Sequence, residues 1–183
     1  MRISEKEPSQ YPLLARIIFW AQSKKYGESL VPSKLWGRSP KLLYGLQILY
    51  RAIDRKGSPI EPALRALVGI LISRINHCEF CTDIGESLLV KCGVSLEKLS
   101  HLDKFETDQS FTERERVALA FAQCVTNSGE RVQDHLFARL KRQFSDDEII
   151  ELTAVIAYQN LSSKFNSALD VPAQGFCDLP GRT

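Results

Sequence analysis

An all-α fold is predicted for this chain, a compact bundle of about seven to eight helices with a Cys-x-x-Cys pair at the N-terminus of one of them. Three observations predict it. Apolar residues recur at the i, i+4, i+7 spacing that lines one face of a helix. Alternation of period two never lasts beyond a few residues, so strands are not expected. Ser or Thr followed three residues later by Glu, or Ser followed directly by Pro, punctuates the chain where helices would begin. The chain has 183 residues, 44% hydrophobic and 25% charged. That composition and length suit one globular domain spanning residues 1–183.

The elements follow in order. The opening MRISEKEPSQ is charged and lacks the apolar stretch of a secretory signal, and Arg16 interrupts the apolar residues from Leu13 to Trp20. Residues 27–37 read as a connector. Ser39-Pro40 places an N-cap before a Pro at the first helical position, and Leu42, Leu46, Leu49 and Ile53 give that helix its stripe. Ser58-Pro59, with Glu61 completing a capping box, is the next start. Residues 62–75 are apolar on nearly every side, the mark of a central helix, but Arg65 and Arg74 bound a run far too short to cross a membrane. Asn76 and Glu79 signal another start, and residues 107–110 a connector. Thr112 with Glu115 and Ser145 with Glu148 form two more capping boxes. Their helices carry the stripes Val117, Phe121, Cys124, Val125 and Ile150, Ala154, Ala157, Leu161, Phe165, with Val132, Leu136, Leu140 and Phe144 between them. Pro172, Gly175, Pro180 and Gly181 mark an irregular tail over the last ten residues.

Charge excludes some functions. There are 24 Lys+Arg against 22 Asp+Glu, a net charge of +2, and the basic residues are dispersed. No nucleic-acid partner and no membrane are expected. Five cysteines at uneven spacing do not resemble an extracellular disulfide framework, so a reduced, cytoplasmic setting is expected.

Two of those cysteines carry chemistry. With Asn76 as N-cap, Cys78 would be the second helical residue and Cys81 the fifth, on neighbouring parts of one face and within disulfide reach. The positive end of the helix dipole and its free N–H groups stabilise a thiolate, most of all at Cys78. A thiolate beside a second thiol can attack a peroxide or a disulfide and then be resolved. An inert buried pair, or half of a zinc site with His77, is the alternative reading of the same residues. Proton transfer would fall to His77, Asp83 or Glu86, with Asp83 nearest Cys81; a solvated helix face is the plain reading of the two acids. Gly85 inside the helix marks close packing or space for substrate. Cys92, Cys124 and Cys177 read as structural, Cys124 as core.

The segment Arg65-Ala-Leu-Val-Gly-Ile-Leu-Ile-Ser-Arg-Ile-Asn-His-Cys78-Glu-Phe-Cys81 resembles the carboxymuconolactone decarboxylase-like family, in its alkylhydroperoxidase D-like branch. Gly93-Val-Ser-Leu-Glu-Lys-Leu, Phe111-Thr-Glu-Arg-Glu, Phe144-Ser-Asp-Asp-Glu-Ile-Ile-Glu-Leu, Asn166 and Val171-Pro172…Gly175 extend the likeness over roughly residues 25–177. The resemblance implies an all-helical fold, a homo-oligomer (trimer or hexamer), and thiol-dependent reduction of a small-molecule hydroperoxide. It implies that Cys81 attacks and Cys78 resolves, with no cofactor or metal and with electrons from an external dithiol donor. The branch's usual proton carriers, a Glu and two His, are replaced by Ala66, Phe80 and Gly85. Asp83 instead fits a Cys-x-x-Cys-x-Asp variant. A degenerate oligomeric scaffold or thiol redox sensor is the second reading, and ring decarboxylation the third.

Overall fold

Among the described residues, 1–177 of a computed structural model, the chain forms nine α-helices and two short 3-10 turns, with no strand. The helices are α1 (Leu13–Tyr26), α2 (Val31–Trp36), α3 (Pro40–Ile53), α4 (Pro62–Ile75), α5 (Glu79–Lys91), α6 (Leu96–Ser100), α7 (Glu113–Thr126), α8 (Asp134–Gln143) and α9 (Asp146–Ala168). Residues 171–177 are irregular, as the tail reading expects, while Pro180 and Gly181 lie outside the described residues.

The capping boxes at Thr112 and Ser145 both form. The Thr112 hydroxyl accepts the Glu115 N–H, and the Ser145 hydroxyl accepts the Glu148 N–H. Each Glu side chain reaches back to the backbone N–H of its cap, at 2.8 and 2.7 Å. The Ser145 N–H and the Arg114 guanidinium hold the Glu148 carboxyl below the usual carboxylate range.

Four expectations shift. Residues 27–37 are not merely a connector, because α2 lies there with Pro32 in its first turn, where a missing N–H does no harm. The helix expected from Ser58 begins instead at Pro62, with Glu61 as its cap. Had Pro59 opened it, Pro62 would have been the fourth helical residue and removed the first intrahelical hydrogen bond. On α3, Leu42 and Leu49 are 55% and 43% exposed, and Leu43 is the buried residue. On α9, Ile150 is 70% exposed, and Ile149, Leu152 and Ile156 face inward. Both helices carry apolar residues on two faces, so spacing alone does not select the buried one.

Helix α4 packs against α5, α7 and α9, and its Leu67, Val68, Ile70 and Ile72 are fully buried. That is the central position its all-round apolar sequence demands. A smaller apolar cluster, separate from this core, joins Leu35, Phe80 and Val171 to both Cys78 and Cys81. No helix among the described residues is long and apolar enough to cross a membrane.

Candidate active site

The turn between α4 and α5 sets the position of the cysteines. Asn76 caps the end of α4, His77 takes a left-handed φ of 52°, and α5 starts at Glu79. Cys78, not Asn76, is therefore the N-cap, and its Sγ accepts the Cys81 N–H at 3.2 Å. Cys81 is the third helical residue rather than the fifth. The Asn76 amide is engaged elsewhere: its N–H groups donate to Asn160 Oδ1 at 3.0 Å and Ser163 Oγ at 2.8 Å, tying the turn to α9. Cys78 and Cys81 form a disulfide, with Cα atoms 5.3 Å apart. Both are buried at the positive end of α5. Asn166, fully buried on α9, donates from Nδ2 to Cys81 Sγ at 3.2 Å, while its Oδ1 has no hydrogen-bond partner. In the reduced pair, that N–H and the dipole would both favour thiolate at Cys81.

Cys81 borders a cavity of about 590 Å³; Cys78 does not. Cys81, Ile84, Gly85, Leu88 and Cys92 line it from a single face of α5. At 1.5 Å per residue, the cavity therefore runs about 16 Å along the helix. Near the cysteines, Trp36 stacks on Phe165 with ring centroids 3.6 Å apart. Toward the other end, the Tyr50 hydroxyl donates to Asp54 at 3.0 Å, and Arg65 pairs with the same carboxylate at 3.2 Å. Burial, with Tyr26 and Asp54 nearby, raises the Tyr50 phenol well above its ordinary range; burial pushes Tyr158 up to about 12. Both phenols stay protonated near neutral pH.

None of the three expected proton carriers borders this cavity. Asp83 is buried, and its carboxylate accepts the backbone N–H groups of Gln174 (3.0 Å), Phe176 (3.1 Å) and Cys177 (2.9 Å). It fastens the C-terminal tail across α5, where Phe176 packs edge-on against Phe80. Glu86 is buried and pairs with Arg74 at 3.2 Å. His77 is exposed on the turn. Ala66, Phe80 and Gly85, which replace the branch's usual proton carriers, all line the cavity. A Cβ on Gly85 would come within 2.9 Å of Ile70 Cγ1, so close packing of α5 on α4 accounts for this glycine.

Cys92 is exposed at the cavity's edge. Cys124 is half-buried rather than core, and burial with Glu130 beside it pushes its thiol up. Among the described residues, no group of three or more His, Cys, Asp or Glu could hold a metal ion. Sequence reasoning missed the Asn166 contact and the Asp83 clamp. Asn166 was visible only as part of the resemblance, and a carboxylate bound by distant backbone leaves no local pattern.

The chain is 38% identical over 172 residues, 94% of each chain, to the uncharacterized protein YnjA of Escherichia coli (strain K12). It superposes on the alkylhydroperoxidase AhpD core of a peroxidase-related protein from Ralstonia eutropha with a TM-score of 0.85, 18% identity and coverage of 96% and 93%. The protein belongs to one family with YnjA, and its fold is AhpD-like. No family model matches the chain. The debrominase Bmp8 shares the AhpD-like fold, with a TM-score of 0.81, 23% identity and coverage of 94% and 91%.

Proposed function

We propose that this AhpD-like protein is a thiol-dependent peroxidase that reduces organic hydroperoxides. The observation that carries the reading is that, of two cysteines joined at a helix N-terminus, Cys81 alone borders the cavity. In the reduced protein, the Cys81 thiolate attacks the distal peroxide oxygen, the O–O bond breaks, and the alkoxide takes a proton from water to leave as alcohol. Cys81 is then a sulfenic acid. The Cys78 thiol displaces its oxygen as water and forms the disulfide. An external dithiol returns both electrons and two protons. Asn166 stabilises the attacking thiolate. Asp83 is a positioning residue that holds the tail, and Glu86 is anchored to Arg74. A reducing cytoplasm suits the recycling step.

A homo-oligomer, trimeric or hexameric, belongs to the same proposal. Leu13, Ile17 and Trp20 form an outward stripe on α1, each more than half exposed, and Ile48 on α3 is 72% exposed. Contiguous apolar surface of this kind marks an interface.

Steady-state consumption of cumene hydroperoxide with dithiothreitol tests the activity. The wild type is expected to turn over repeatedly and Cys81→Ser not at all. Full turnover by Cys81→Ser would refute the reading. One disulfide formed per protein without further turnover would instead favour a redox sensor.

A further inference from the structure

The cavity has two chemically different ends, and their separation specifies a substrate. Gly85 of α5 meets Ile70 of α4. Because α4 and α5 run antiparallel, Arg65, five residues before Ile70, stands about level with Val90. That is nine residues beyond Cys81, or about 13 Å along α5. Helix α9 keeps the same order: Asn166 touches Cys81, and Tyr158, eight residues earlier, lies about 12 Å back along the axis. Asp54, at the end of α3, joins Arg65 and Tyr50 at this far end. Between the ends the walls are mostly apolar, with Leu43, Leu46, Ile84, Leu88 and Val155, and the polar side chains of Gln22, Ser33, Gln47, Gln159 and Ser162 also line the cavity.

The charged residues on the cavity wall are Lys25, Arg51, Arg65 and Asp54. Asp54 is taken up by Arg65 and Tyr50. Arg51 and Lys25 are exposed, and among the described residues neither is in an ion pair. Lys25 lies over the Tyr26 ring at 5.0 Å, and Tyr26 and Tyr50 both line the cavity. The far end is thus a cationic, phenol-lined mouth, where a bound anion would keep part of its hydration. A guanidinium is well matched to a carboxylate.

Resting on the peroxidase reading of Cys81, we infer that the substrate is an elongated apolar monocarboxylate, its carboxylate held at Arg51 in the mouth and its peroxide group delivered to Cys81 between the mostly apolar walls. A cavity of about 590 Å³ is ample for a medium-chain or aromatic acid.

Calorimetric titration with decanoate and with methyl decanoate tests this without any turnover. The wild-type protein is expected to bind the acid about tenfold more tightly than the ester, a difference of about 1.4 kcal/mol. Arg51→Gln should bring the two close to parity by weakening the acid alone, and Arg51→Lys should keep most of the preference. Equal binding of acid and ester by the wild type, an acid preference that survives Arg51→Gln, or no binding of either probe would overturn the assignment. Acid-selective binding together with absent peroxide turnover would keep this assignment and refute the peroxidase reading alone.

Discussion

His77 occupies the left-handed region between α4 and α5, a conformation that a β-carbon makes unfavourable. Its side chain is exposed and outside the cavity, so it serves the turn rather than the chemistry. Replacing His77 by Gly is expected to stabilise the protein by about 0.5–1 kcal/mol in urea unfolding, the relief of strain being partly offset by the added entropy of the unfolded chain. Hydroperoxide turnover should be unchanged. A large loss of turnover in a folded His77→Gly protein would restore His77 as a proton carrier. The residue scale also shows what a sequence displays of a site. The cysteine pair was legible because its chemistry depends on a spacing of three. The roles of Asp83 and Asn166 were not, since each depends on a partner about ninety residues away: the tail at Gln174 to Cys177, and Cys81 itself.

At the scale of elements, the α4–α5 hairpin holds the site, and its closest approach is Gly85 on Ile70. Gly85→Ala gains helix propensity of about 1 kcal/mol, but it drives a methyl group into a fully buried isoleucine, and overpacking typically costs about 1–3 kcal/mol. A net loss of stability is expected. Adding Ile70→Val should recover much of it, as thermal or urea unfolding of the two proteins would show. If Gly85→Ala alone stabilises the protein, the hairpin is looser than this contact implies. Helix starts were legible where capping boxes form, at Thr112 and Ser145, because the signal is local. The start of α5 was placed two residues early. Asn76 is a good cap by type, but its amide is drawn into contact with α9, and a cysteine sulfur takes its place.

At the scale of the molecule, the helical class and the central place of α4 were legible from periodicity and all-round apolarity. The orientations of α3 and α9 were not, since an outward apolar face is indistinguishable from a buried one until the chain is folded. That outward surface gives a further expectation. Trp20→Lys, on the exposed stripe of α1, should shift the protein toward monomer in analytical ultracentrifugation with little change in helical content. An unchanged sedimentation coefficient would place the contact between copies elsewhere. The cavity joins the levels: six helices, α1 to α5 and α9, line it, and one cysteine of the pair opens onto it. The most direct measurement is the site of first oxidation. Reduced Cys78→Ser protein, treated with one equivalent of cumene hydroperoxide and trapped with dimedone, is expected to carry the adduct on Cys81 by peptide mass spectrometry. An adduct absent from Cys81, or formed instead on Cys78 in the Cys81→Ser protein, would contradict the assignment of Cys81 as the attacking thiol.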